Sequence, residues 1–332
     1  MRKINGVPVE AHTDLSNLTG GEVLKWSGTN MAWEDQDSTG FVPDGDRGIR
    51  AGGHIGSVTN TIDYVTISTT GNATDFGDLL SNLQTLAGTS NATSGRGVLA
   101  GGESPTTNVM QYITILSLGN ATDFGDLTVS RHDFNGLSNG TNDRGVFVGG
   151  SGTTMDYITI STLGNATDFG DLTVGRTFPG GTSNGTNDRG VMVGGYAGGN
   201  STTIDYITIS TTGNATDFGD FTPTGYNITA ISNSTSDRAI LSDGGTTNTI
   251  AYITISTLGN ATDFGDLTQS RNSSRAYSNG TNDRGCFTGG STGSRVNTID
   301  YFTLSTTGNA TDFGDLTEVV TNSGNTSNAG GN

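Results

Sequence analysis

Along most of the chain, apolar residues fall into short alternating runs, each fenced by Gly, Asn, Asp or Thr. Representative runs are Gly145-Val-Phe-Val-Gly-Gly150, Asp156-Tyr-Ile-Thr-Ile-Ser161 and Asp168-Phe-Gly-Asp-Leu-Thr173. A period of two with β-branched and aromatic centres predicts strands, and the fencing residues predict tight turns. No stretch carries the i, i+3, i+4 spacing of an amphipathic helix over three turns. The pattern predicts an all-β chain of short strands.

The runs repeat. Gly-Asn-Ala-Thr-Asp-Phe-Gly-Asp occurs six times, starting at Gly71, Gly119, Gly164, Gly213, Gly259 and Gly308, in steps of 45 to 49 residues. A tyrosine precedes each copy (Tyr64, Tyr112, Tyr157, Tyr206, Tyr252, Tyr301). Before it come a Gly-Gly pair and then an arginine: Arg47, Arg96, Arg144, Arg189, Arg238, Arg284. Between residues 131 and 175 the unit reads as four strands, near His132–Asn139, Gly145–Gly150, Asp156–Ser161 and Asp168–Thr173. Four strands per unit of this length is the size of a propeller blade. The glycines have no period of three, which excludes collagen, and the absence of a nonapeptide repeat disfavours a calcium-binding β-roll.

The ends predict how the ring closes. Thr326-Ser-Asn matches Thr182-Ser-Asn, the first strand of a unit, but no unit follows it. Asp46-Arg47-Gly48 opens a second strand without a comparable first strand before it. Pairing Val319–Asn328 with Gly48–Gly53 makes a six-bladed propeller without an unpaired edge at the seam, the hazard of an open β array.

The landmarks resemble the kelch repeat: a hydrophobic strand ending in Gly-Gly (Val146-Phe147-Val148-Gly149-Gly150), then Tyr157, a large aromatic (Phe169) and an arginine (Arg176). Phe stands where kelch has Trp, and the arginine after the fourth strand is present only as Arg131, Arg176 and Arg271. The resemblance implies a six-bladed kelch-like propeller over residues 41–332.

Residues 1–40 are a different composition. Both tryptophans (Trp26, Trp33) and both lysines (Lys3, Lys25) lie there. Leu18-Thr-Gly-Gly-Glu-Val-Leu-Lys-Trp26-Ser-Gly-Thr-Asn-Met-Ala-Trp33 reads as a hairpin, Val23–Trp26 against Met31–Trp33. It is similar to a short module of bacteriophage tail fibres and other virion proteins. The propeller repeat Asp-Tyr-Ile-Thr-Ile-Ser-Thr-Thr-Gly-Asn-Ala-Thr-Asp-Phe-Gly-Asp resembles virion proteins of marine tailed phages. These resemblances imply a virion location and a docking or oligomerisation role for Trp26 and Trp33. Other virion proteins and a host surface glycan or protein are the implied partners, with a homo-oligomer such as a trimer.

Composition narrows the chemistry. Fifty-three glycines supplement a hydrophobic content of 31%, and charged residues are only 14%, so Thr, Ser and Asn must supply the polar surface. A net charge of −17 argues against nucleic acid, which needs clustered Lys and Arg. No apolar run is long enough to insert in a membrane as a helix, and Met1-Arg2-Lys3 is not followed by a secretory leader. One cysteine excludes an intrachain disulfide. Cys286 occupies the slot of Val146 and Val191 and reads as a core hydrophobe. The Asp-Phe-Gly-Asp pairs offer too few carboxylates for a calcium loop; their first Asp reads as a turn cap and their Phe as inter-blade packing. The Asn-Ala-Thr triplets read as turns rather than glycosylation sites. Each arginine opening a second strand is expected to pair with the preceding Asp or with carbonyls of the next blade.

No cofactor or metal is expected, and no acidic residue visibly breaks the repeat as a catalytic group should. The expected role is a non-enzymatic adhesion or structural protein of a virion; the alternatives are a polysaccharide depolymerase on the same appendage and a cellular kelch-type adaptor. Loops between second and third strands vary from 6 to 10 residues, and variable loops on a rigid scaffold carry recognition. They supply Tyr196, Arg295 and His54 as candidate interaction residues, Tyr196 as a stacking platform and Arg295 as a hydrogen-bonding fork.

Overall fold

The computed structural model describes residues 46–332 except 91–94, 139, 141–142, 151, 184–187, 223–225, 233–236, 245–246, 279–282 and 328–332, together with four short strands before residue 36. Met1–Pro43 and Asp44–Asn332 are separate compact units. In the first, Lys3–Ile4 pairs with Val7–Pro8, and Glu22–Trp26 pairs antiparallel with Met31–Asp35, placing Leu24 opposite Trp33. The docking role read for the side chains of Trp26 and Trp33 lies outside the described residues.

The second unit is a six-bladed propeller of four-stranded antiparallel sheets. Blade 3 shows the plan: Phe134–Leu137 innermost, then Arg144–Gly149, Thr154–Thr159 and Thr167–Asp171 at the rim. Every third–outer pair shifts register at one point, in blade 3 between Met155 and Asp156. Met155 opposes Gly170 and Asp156 opposes Asp168, so Phe169 is the extra residue of a bulge. Phe169 is buried and meets Tyr157 edge-on at 6.1 Å. It packs with Met192 and Ile207 of blade 4, so the aromatic fills the space between blades.

Blade 1 is closed by the two ends of the chain. Gly324–Ser327 is the inner strand against Arg47–Ala51, with Gly324 opposite Ala51 and Ser327 opposite Gly48. The pairing falls within the segment expected from the repeat, and the seam has no free inner edge. Inner strands of neighbouring blades abut around the axis: a Cβ on Gly88 would lie 1.8 Å from the Asn325 carbonyl oxygen. Only glycine fits that approach.

The repeated residues make repeated joints. Each Gly-Asn-Ala-Thr turn clasps the outer strand of the preceding blade. In blade 4, Gly213 N–H donates to Phe169 O and Ala215 N–H to Asp171 O, both at 2.8 Å. Asn214 Oδ1 accepts the Asp171 N–H at 3.0 Å. The same three bonds recur at all six joints, including blade 1 on blade 6 through Asn72 and Asp315. The Asn is thus a clasp between blades as well as a turn residue. Gly170 has φ +140°, and a Cβ there would sit 2.5 Å from Gly213 O, so the clasp also accounts for the glycine of Asp-Phe-Gly-Asp. Asp168 and its equivalents lie inside the outer strand and are exposed, not at a turn cap as expected from sequence. Asn214→Ala should lower stability by about 0.5–1.5 kcal/mol, one exposed hydrogen bond, whereas Gly170→Ala should cost more because backbone must move. Urea unfolding of the two variants checks that order.

A second joint uses the arginine opening each second strand. Arg47 Nη1 donates to Ile115 O of blade 2 at 2.7 Å, and the guanidinium lies 4.4 Å above the Tyr64 ring of its own blade. Arg96, Arg144, Arg189, Arg238 and Arg284 repeat this toward Ile160, Ile209, Ile255, Leu304 and Ile67. The preceding Asp accepts from a serine, as Asp143 does from Ser161 N and Oγ. Of the two expectations for these arginines, bonding to carbonyls of the next blade is seen directly.

The incomplete arginine set has its own explanation. Arg131, Arg176 and Arg271 are buried against a third-strand aspartate of the following blade, with Arg131 Nη2 at 2.6 Å from Asp156, Arg176 at 2.9 Å from Asp205 and Arg271 at 3.0 Å from Asp300. In blade 1 the partner of Asp63 is Arg50, supplied by the second strand. Blades 2 and 5 have Gln111 and Ala251 in place of the Asp, and Leu83 and Gly225 in place of the Arg. Charge is buried there only in pairs.

Candidate functional site at the loop-side mouth of the ring

Successive antiparallel connections alternate between the two faces, so the second-to-third-strand loops share a side with the connections from outer to inner strands. Just ahead of every inner strand stands a non-glycine residue in the left-handed region: Thr85, Asp133, Phe178, Asn227, Ser273 and Asn322, all with φ between +55° and +60°. Their backbones link around the axis. Asn322 N–H donates to Ser273 O, Thr85 to Asn322, Asp133 to Thr85 and Phe178 to Asp133, at 2.6 to 3.3 Å. Among the described residues the two links through Asn227 are not made, so the circle opens at blade 5.

At that opening lies a cavity of about 20 Å³ lined by Asp133, Asn135, Phe178, Asn227, Arg275 and Asn325. None of these belongs to a six-fold repeated identity. Asp133 and Asn227 are only 7% and 8% exposed, yet Asp133 Oδ1 and Asn227 Oδ1 have no hydrogen-bond partner among the described residues. The other Asp133 oxygen lies 2.7 Å from His132 Nδ1. Arg275 donates Nε to Ser323 O at 2.7 Å and Nη1 to Ser274 O at 3.0 Å, which fixes its head at the mouth.

Burial raises the Asp133 carboxyl above its ordinary value, opposed by His132 and Arg275 and reinforced by Glu103. The native state therefore holds this proton more tightly than the unfolded chain. Stability is present at low pH and is lost as pH rises from the unfolded value, about 3.9, through the raised native one. Asp133→Asn should accordingly raise the melting temperature at pH 7. The gain should shrink as pH falls through the raised native value toward the unfolded one; thermal melts across that range check it.

An aromatic row runs outward from the cavity. The Phe178 and Tyr226 rings are 6.0 Å apart and Tyr226 and Tyr196 6.5 Å apart, both edge-to-face. Tyr226 and Tyr196 are 46% and 47% exposed. Tyr196 is held by reciprocal backbone bonds with Thr177 and turns back on Asn200. His54 and Ser291 take the same position in the other two 10-residue loops, bridging Thr321 and Asn272.

The three sequence candidates fall in two places. Arg295 Nη2 meets His54 Nδ1 at 2.7 Å across the seam between blades 6 and 1, beside an open groove with Asn272, Ser291 and Thr321. Tyr196 belongs to blade 4, opposite blade 1 around the ring, and its aromatic neighbour is Tyr226, which in turn meets Phe178. Sequence reasoning missed Asp133, Asn227, Arg275 and Tyr226. Their one available signal was departure from the repeat in the outer-to-inner connections and inner strands.

Cys286 is fully buried among Val65, Ile67, Ile299 and Phe313, and burial pushes its thiol up, as a core residue's should be. Among the described residues no three His, Cys, Asp or Glu side chains are grouped to hold a metal ion. No protein-family model and no curated protein matches the chain.

Proposed function

We propose that this chain is a non-enzymatic recognition protein of a tailed-phage virion, with kelch-like blades, that contacts a host surface or a neighbouring virion protein through its loop side. One observation carries the recognition reading. The repeated arginines and the Asn of each Gly-Asn-Ala-Thr turn are consumed in joints between blades, whereas non-repeated side chains gather on the loop side, as Asp133, Asn227 and Arg275, the Phe178–Tyr226–Tyr196 row, and His54 with Arg295. Recognition needs asymmetry of that kind on a rigid support. The resemblance of the first forty residues to a tail-fibre module, and of the repeat to marine phage proteins, supports the virion location and a homo-oligomer.

Mass spectrometry of purified phage particles tests the location; finding the chain only in infected cell lysate and never in particles would count against it. Incubating the purified chain with host envelope polysaccharide tests the chemistry, since release of reducing ends would replace this reading with a depolymerase. Trp26→Ala with Trp33→Ala should reduce incorporation into particles while leaving the propeller's melting nearly unchanged. Calorimetry alongside particle composition checks both halves.

A further inference from the structure

We propose that the loop-side mouth binds the terminal residue of a neutral glycan, one of its hydroxyls seated in the cavity beside Asp133 and Asn227 and its rings carried outward on Phe178, Tyr226 and Tyr196. The proposal rests on the recognition reading above and names what is recognised.

The two orphaned oxygens set the chemistry. Asp133 Oδ1 and Asn227 Oδ1 are both acceptors, both buried, and both line the cavity. A buried acceptor left without a donor is costly, so the site is built for a ligand that brings donors. A hydroxyl group brings such a donor, and Arg275 on the wall can donate to the hydroxyl's oxygen. Size sets which part of the ligand enters. A cavity of about 20 Å³ holds one water-sized group, so a single hydroxyl or hydroxymethyl enters while the sugar ring stays outside. What meets the ring there is Phe178, which lines the cavity, followed by the two exposed tyrosines. Aromatic faces with polar tips suit a sugar's apolar C–H face and its hydroxyls together. Net charge works against the acidic sugars: the molecule carries −17, which outweighs the one arginine, Arg275, on the cavity wall. Among the described residues the circle of left-handed residues opens only at blade 5, so they offer one such site despite the six blades.

The test is binding of the full chain to a printed array of neutral and acidic bacterial glycans, repeated with Tyr226→Ala, Asn227→Gly and His54→Ala. Tyr226 is half exposed, and glycine keeps the left-handed backbone at Asn227, so both variants should fold, which circular dichroism verifies. Expected is retention of neutral glycans by the wild type and the His54 variant, with binding about tenfold weaker in the other two, the equivalent of one lost stacking or hydrogen-bond contact. Binding to acidic glycans alone, or no glycan binding, overturns the proposal; particle mass spectrometry then decides separately whether the virion reading stands. Neutral-glycan binding that survives Tyr226→Ala and Asn227→Gly but is lost in His54→Ala also overturns it, while leaving recognition on the loop side intact.

Discussion

Deletion of residues 318–332 should convert the propeller into an aggregating chain. The deletion removes Gly324–Ser327, the inner strand of blade 1, and with it every hydrogen bond to Arg47–Ala51 from the axial side. It also removes Val320 from the cluster that buries Cys286 and Phe313, and the Asn322 link in the axial circle. What remains is a buried strand (Arg47–Ala51) with an open ladder, a ready template for pairing with another copy. Size-exclusion chromatography should show high-mass species and calorimetry no single sharp transition. A soluble monomer that melts cooperatively near the full-length temperature would sink the closure argument.

Arg271→Met should be the most damaging single substitution among those considered, at about 3–5 kcal/mol, because it strands the Asp300 carboxylate in the core. Both side chains are fully buried. Arg271 also donates to Thr298 O and Phe287 O, each at 3.0 Å, and Asp300 keeps only Thr268 Oγ1 at 2.7 Å and the longer Thr268 N–H once the guanidinium is gone. For a domain of this size the loss corresponds to a melting drop of roughly 6–10 °C. Adding Asp300→Ala should recover most of it. Blade 5 already has that uncharged arrangement, with Ala251 and Gly225 at the two positions. Equal instability of the single and double variants in urea unfolding would show that the lost guanidinium bonds to Thr298 O and Phe287 O, and not the unpaired charge, carry the effect.

The blades were legible because a strand-turn pattern repeated six times is self-checking: Tyr157 and Phe169 could be placed from any of their five counterparts. Closure was legible for the same reason, since Thr326-Ser327 could be recognised as a first strand without a blade. The ion pairs were not, although the signal existed. Arg131, Arg176 and Arg271 occur only where the next unit has Asp at the third strand. Arg50 hid the rule by reaching Asp63 from a different strand. The candidate site was the least legible part. The circle at its mouth is defined by backbone angle, and Thr85, Phe178 and Ser273 have no local preference for the left-handed region; only Asp133, Asn227 and Asn322 hint at it. The contact of His54 with Arg295 spans 241 residues and exists only because blade 6 returns to blade 1.

That return also fixes the order in which the protein can be made. The strand edge at Arg47–Ala51 is synthesised well before its partner at Gly324–Ser327. At roughly 5–20 residues per second, the intervening stretch of about 270 residues takes about 15–55 s to emerge from a ribosome. Through that interval blades 2 to 5 can fold and clasp one another in sequence, each turn gripping the rim before it, while the founding edge waits. Once the last strand docks, opening the ring at blade 1 requires peeling it from Arg47–Ala51 and breaking the rim clasp of Gly71 and Ala73 on blade 6 together. A molecule made this way is slow to finish and slow to come apart, and its working lifetime is set by an unfolding rate more than by an equilibrium.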